Sequence, residues 1–185
     1  MVGGGVVFQY HVLQMCKEEK YQLLVRQVEA LVEGETDGIA IMANVCAAIH
    51  EAMGFFWTGF YRVVPVQGQQ DADDRQLELR LGPFQGPVAC MHIPFGRGVC
   101  GSAWQQQKTI VVPDVELFPG HIACSSLSRS EIVVPVFSPS DRRVLAVLDI
   151  DSRELATFDS IDSQYLEDIC RMIAPVICMM DTKTR

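Results

Sequence analysis

The chain has 185 residues, 49% of them hydrophobic and 21% charged, a composition that fits one globular domain with a sizeable core and differs from that of disordered segments. Its 15 basic and 23 acidic residues give a formal net charge of -8, which argues against a nucleic-acid or anionic-membrane surface and leaves small molecules or proteins as partners. No apolar run approaches the roughly 18 residues of a membrane-spanning helix, and the first residues lack a basic, cleanly hydrophobic leader, so the expected location is cytoplasmic.

Residues 1–15 carry three consecutive glycines and no clear period. From residue 16 to 32, Tyr21, Leu24, Val28, Leu31 and Val32 follow helical spacing, and Gly34 lies where such a helix stops. A second helix is expected over residues 36–53, with Ile39, Met42, Val45, Cys46, Ile49 and Met53 as its inward stripe and Gly54 as its end. FFWTGFYRVV reads as a strand rich in aromatics. On it Trp57, Gly59 and Tyr61 share one face, a large-small-large row that leaves a notch between two rings.

VQGQQDADDR is a polar hairpin loop, and QLELRLG returns as a second strand. GPFQGP then reads as a turn-rich loop, VACMHIPF as a short extended run, and GRGVCGSAWQQQ as a turn feeding a short helix. That places Cys100 in a first helical turn, where the helix dipole lowers a thiol pKa unless the thiol is simply a small packing residue. KTIVVPD and EIVVPVF are strands separated by the long loop VELFPGHIACSSLSRS. Long loops in compact domains often carry function.

After the tight turn SPSD, RRVLAVLDID is a last strand with Val144, Ala146, Leu148 and Ile150 on one face and Arg143, Leu145, Val147, Asp149 and Asp151 on the other. Two carboxylates on one strand face raise each other's pKa, and burial adds to the effect. The chain closes with a helix capped near Asp159 or Ser160, its inward stripe running from Ile161 to Met180 and a kink expected at Pro175. This order of elements makes an α+β domain, with a central antiparallel sheet and helices packed mainly on one face.

Seven cysteines is an odd number with no disulfide-framework spacing, so any bridge in a reducing compartment is expected to be transient and catalytic. Cys90, Cys100 and Cys124 sit among glycine, proline and serine in residues 86–136. Around Cys124, His121, Ser125, Ser126 and Arg129 supply donors and positive charge that would stabilise a thiolate, which makes Cys124 the leading nucleophile. A zinc site from Cys90, His92, Cys100, His121 and Cys124 is a rival, but no C-x-x-C pair is present and the spacings match no standard finger.

GPVACMHIPFGRGVCGSA, FPGHIACSSLSRSEIVVPV and LAVLDIDS together resemble the signature blocks of the free methionine-(R)-sulfoxide reductases, enzymes built on a GAF domain. The resemblance spans residues 35–179. It implies a GAF-like fold with a loop-covered pocket on the sheet face opposite the helices, and it divides the chain into an N-terminal extension, residues 1–20, and a catalytic domain, residues 21–182. It implies that Cys124 attacks the sulfoxide and that Cys90 is the best match to the resolving cysteine. Cys100 matches the third family cysteine, and its part as an alternative resolving thiol stays open. Glu131, Asp149 and Asp151 match the acidic substrate-binding positions, and Trp57 and Tyr61 the aromatic pocket. Ser125 and Leu127 depart from the acidic residue and the alanine expected there, which bears on pocket polarity.

The implied reaction reduces free methionine-(R)-sulfoxide to methionine, with thioredoxin as electron donor, no metal or organic cofactor, and a homodimer by analogy with other GAF domains. A pocket of carboxylates would hold a free α-ammonium and find no charge on a residue inside a peptide bond, which favours free over protein-bound methionine sulfoxide. A GAF ligand-sensing module without chemistry is the rival of another class, since fold alone does not fix function. Against it, such a module leaves three loop cysteines unexplained.

Overall fold

A computed structural model of the chain describes residues 15–66, 77–121 and 125–182, the side chains of the last two excepted. Most of the expected N-terminal extension, nearly all of the polar hairpin loop and Cys124 itself lie outside the described residues. Helix α1 is Lys17–Val32 and α2 is Gly38–Met53. Asp37 caps α2 by accepting from the Ile39 and Ala40 amides, at 2.8 and 3.3 Å. Gly54 ends it at φ 73°, a left-handed turn that glycine adopts without a Cβ clash.

Strands β1 (Trp57–Pro65), β2 (Leu77–Gln85) and β3 (His92–Pro94) follow, then helix α3 (Gly98–Gln106), strand β4 (Ile110–Val112), a short 3-10 turn at Val115–Leu117, strands β5 (Ser130–Phe137) and β6 (Val144–Ser152), and helix α4 (Ser160–Thr182). The six strands form one sheet in the order β3-β2-β1-β6-β5-β4, every pair antiparallel. The α+β architecture read from the sequence is the one observed.

Alternation along the strands divides the interior in two. On one face Phe60, Ile132, Val134, Ala146, Leu148 and Ile150 pack against α1, α2 and α4 through Tyr21, Leu24, Val28, Met42, Val45, Ile49, Leu166, Ile169 and Ile173. The opposite face carries Trp57, Tyr61, Leu79, Val133 and Val147, packed under α3 by Val99, Cys100, Ala103 and Trp104. Fully burying each aliphatic side chain contributes roughly 1.5–3 kcal/mol, so the three-helix face anchors the fold and the thinner face is free to host a site.

Three local expectations change. Within α2, Ile41 and Ala48 are buried while Ile39 is 40% exposed. GPFQGP is not wholly a loop, because β2 continues through Gln85. A Cβ on Gly82 would stand 3.0 Å from the Phe60 carbonyl oxygen, so this glycine serves close strand approach rather than a turn. A bulge pairs Val136 with Ala146 but Phe137 with Val144, and it exchanges the expected faces of Val144 and Leu145. As the stripe from Ile161 to Met180 implied, α4 runs through Pro175 to Thr182.

Candidate active site

The pocket on the thinner face is set by cross-strand register. Asp149 on β6 faces Gly59 of β1 and Val133 of β5, while Asp151 faces Trp57 and Glu131. Strand alternation therefore presents Trp57, Tyr61, Glu131, Asp149 and Asp151 to one side, and the first turn of α3 adds Cys100. Of the residues singled out from sequence, these six line a common pocket with His121 and Ser125.

Gly59 does not leave an open notch. A Cβ there would lie 2.3 Å from Trp57 Cη2 and 2.6 Å from Phe84 Cβ, so the indole itself fills that space. Trp57 stacks between Phe84 and Tyr61, with ring centroids 5.5 and 6.0 Å away. Its Nε1 donates to the Pro87 carbonyl at 3.0 Å, and the Tyr61 hydroxyl donates to the Cys90 carbonyl at 3.0 Å. The two rings that wall the pocket thus also tie down the backbone before β3. Gly86 makes the approach feasible at φ 125°, since a Cβ there would meet Trp57 Cδ1 at 2.7 Å.

Placing three carboxyls and a thiol in so little space disfavours charge. Burial, then the Asp149 and Asp151 charges, push the Glu131 carboxyl well above its ordinary range. Burial and the Asp151 charge do the same to Asp149, against a hydrogen bond shared with Glu131 and another from Cys100. Asp151 is raised by burial to about 6, moderated by a hydrogen bond from Ser128. One oxygen of Asp149, Oδ1, has no hydrogen-bond partner although its surroundings are buried.

Cys100 behaves oppositely to the dipole expectation. Burial, then the charges of Asp149 and Glu131, raise its thiol pKa well above the ordinary value, so burial outweighs the helix N-terminus. Its Sγ lies 4.0 Å from Glu131 Oε1. His121 Nε2 is 3.8 Å from Glu131 Oε2, and burial lowers its pKa, so the positive charge expected near Cys124 is not supplied by this imidazole at neutral pH.

The set Cys90, His92, Cys100, His121 and Cys124 is not assembled among the described residues. His92 instead meets Glu78 Oε1 through Nδ1 at 3.0 Å, and the residues whose ligating atoms do converge are Cys100, Glu131 and Asp149. Cys90 is disulfide-bonded, whereas Cys16, Cys46, Cys100, Cys170 and Cys178 are free thiols. Leu127 is 53% exposed, and Ser125 lines the pocket with its hydroxyl accepting from the Leu127 amide at 3.2 Å.

A GAF domain model matches residues 37–177 of the chain. The free methionine-R-sulfoxide reductase of Escherichia coli (strain K12) is 39% identical to it over 170 residues, 91% of this chain and 95% of the relative. The chain belongs to the GAF-domain free methionine-R-sulfoxide reductase family. GAF domain-containing protein A of Dictyostelium discoideum is 53% identical over 157 residues, 85% of this chain and 92% of the relative. The X-ray structure of the free methionine-R-sulfoxide reductase from Neisseria meningitidis, in complex with its substrate, is similar at 48% identity with a TM-score of 0.81, covering 91% of this chain and 95% of that one.

Within this reductase-family fold, sequence reasoning passed over Ser128, which steadies Asp151, and Phe84, which backs Trp57. Ser128 had one available signal, its position three residues before Glu131 in a loop already rich in donors. Phe84 had none, because it lies in a segment that reads as a turn.

Proposed function

We propose that this protein reduces free methionine-(R)-sulfoxide to methionine, within a catalytic domain spanning residues 21–182. The observation that carries the reading is the meeting of Glu131, Asp149 and Asp151 beneath the rings of Trp57 and Tyr61, in a chain of the reductase family. A sulfoxide oxygen leaves only when it is protonated or strongly hydrogen-bonded. Glu131 and Asp149, both held toward the neutral form, suit that donation, and Asp151, ionised above about pH 6, suits the substrate ammonium. The apolar faces of Trp57 and Tyr61 receive the S-methyl end and fix which sulfoxide epimer turns its oxygen to the acids.

The Cys124 thiolate attacks the sulfoxide sulfur. With one proton from the carboxylic acid, oxygen passes to the thiol sulfur, methionine is released with its sulfur reduced, and Cys124 becomes a sulfenic acid. A second thiol condenses with it, releasing water and forming a disulfide. The disulfide-bonded state of Cys90, beside free Cys100, supports Cys90 in this resolving role. An external dithiol, thioredoxin in this reading, restores the two thiols by exchange. The reading places the protein in the reducing cytoplasm as a homodimer, the latter checked by light scattering of the purified protein.

The experiment is to mix reduced protein with resolved methionine-R- and S-sulfoxides and to quantify methionine released per chain. About one equivalent from the R epimer is expected with Cys90→Ser, which halts cycling with thioredoxin, and none with Cys124→Ser. Full release by Cys124→Ser overturns the mechanism. Binding of either epimer without turnover by the unmodified chain reduces the protein to a sensing domain.

A further inference from the structure

We infer that the floor of the pocket is a binding site for a borderline-soft divalent cation of the Zn2+ class, ligated by the Cys100 sulfur and one oxygen each of Glu131 and Asp149. The ligating atoms of these three residues all lie within 4.8 Å of one another. In a tetrahedral zinc site, metal–sulfur and metal–oxygen distances of about 2.3 and 2.1 Å put neighbouring ligand atoms ~3.5 Å apart. Cys100 Sγ and Glu131 Oε1 are already 4.0 Å apart, so closing on an ion asks for only small side-chain movements.

An independent observation points to a ligand. Asp149 is 7% exposed, and its Oδ1 lacks any hydrogen-bond partner. A buried carboxylate oxygen left without a partner is costly, and a cation in the pocket supplies one. The substrate ammonium of the proposed reaction would also supply it, but an ammonium forms no coordinate bond to sulfur, whereas a zinc-class ion displaces the Cys100 thiol proton and binds the resulting thiolate. The mixture of one sulfur and two oxygens selects against Mg2+ and Ca2+, which take all-oxygen sets, and in favour of zinc-like ions.

The donors are also rigidly held. Cys100 is in the first turn of α3, Glu131 and Asp149 are on adjacent strands, and Val133 pairs with Asp149 while Glu131 pairs with Asp151. Three protein ligands leave a fourth tetrahedral position facing the pocket, the arrangement of an open zinc site. The cation site differs from the cysteine-histidine set considered from sequence, since it uses neither Cys90 nor His92. Where the chain acts as the proposed reductase, an ion here excludes the substrate from the acids and thereby inhibits.

The test is a titration of the full chain in its Cys90-oxidised state, in which Cys100 is free, with Zn2+ alone against a chromophoric chelator. Cd2+ is the second probe, read by its thiolate charge-transfer absorption. One equivalent of tight binding is expected, weakened at least tenfold by Cys100→Ser and by Asp149→Asn, and unchanged by Cys16→Ser at an exposed thiol. The cadmium band should vanish with Cys100→Ser and persist with Asp149→Asn. Equal zinc affinity in the first two variants, or no binding by the unmodified chain, overturns the site. Its fate separates from that of the activity: methionine release without zinc binding sinks the cation site alone, and zinc binding without methionine release sinks the reductase reading alone.

Discussion

Glu131 and Asp149 approach the pocket from neighbouring strands and meet Cys100 of α3 there, so each proton that leaves makes the next harder to remove. If Glu131 donates to the sulfoxide oxygen, Glu131→Gln should lower single-turnover methionine release by about 10²–10⁴-fold, the usual reach of a general acid. Quenched-flow measurement decides it, and a loss under tenfold removes Glu131 from that role. The indole over Gly59 sets a second test. Gly59→Ala drives a methyl into Trp57 and Phe84, and overpacking of this kind costs about 1–3 kcal/mol. Thermal denaturation should show the loss, and the KM for the sulfoxide should rise because the displaced ring is a pocket wall. The shared face of Asp149 and Asp151 was legible in the sequence because alternation holds along β6 from Ala146 onward, beyond the bulge. The raised thiol pKa of Cys100 was not, since local sequence reports a helix N-terminus but not the two acidic strands that tertiary packing brings against it.

At the level of elements, α1 is fastened to α4 by charge as well as by apolar packing. The Lys17 ammonium lies 2.9 Å from an Asp159 oxygen and also reaches Asp162, which accepts from the Tyr21 hydroxyl at 2.8 Å. Burial pulls the Lys17 pKa down, but hydrogen bonds to Asp162 and Asp159 outweigh it and leave it raised. The same hydrogen bond to Lys17 holds Asp159 below its ordinary value. A depressed carboxylate adds stability above its unfolded pKa of about 3.9, and that share is lost as pH falls through the lower folded value. A raised ammonium adds stability below its unfolded pKa of about 10.4 and loses it as pH rises through the higher folded value. The tie is therefore intact across neutrality. Protection factors of the α1 amides should fall on acidification below about pH 4, and Lys17→Met should already show the lower protection at neutral pH. Unchanged α1 protection in that variant contradicts the tie. The end of α2 at Gly54 was readable because capping is local chemistry, whereas the helix start expected at residue 36 lies two residues later, after the Asp37 cap. The last residues of β2 were not, because Gly82 and Pro83 carry the signature of a turn while the neighbouring β1 backbone recruits them into the sheet.

Across the whole molecule, the sheet assigns its two faces different work. One carries the three long helices and most of the apolar burial, and the other gathers acids and a thiol under a short helix and loops. The order of helices and strands was legible because each element has its own period, and the family's blocks marked the correct strands. The joining of β1, β5 and β6 into one pocket depends on the strand order β1-β6-β5, which hydrophobic periodicity does not encode. At this scale, the hydrogen bonds from Trp57 to Pro87 and from Tyr61 to Cys90 have a thermodynamic corollary. Under the proposed mechanism the same two rings contact the substrate and brace the backbone of the resolving Cys90, which makes occupancy of the pocket and oxidation of the thiol reciprocal variables: the factor by which methionine shifts the thiol–disulfide equilibrium must equal the factor by which oxidation shifts methionine affinity. Calorimetry on the reduced and oxidised chains, beside redox titrations with and without methionine, should return the same nonzero free energy from both directions. Identical affinities for the two redox forms would mean that the rings transmit nothing to the loop they hold.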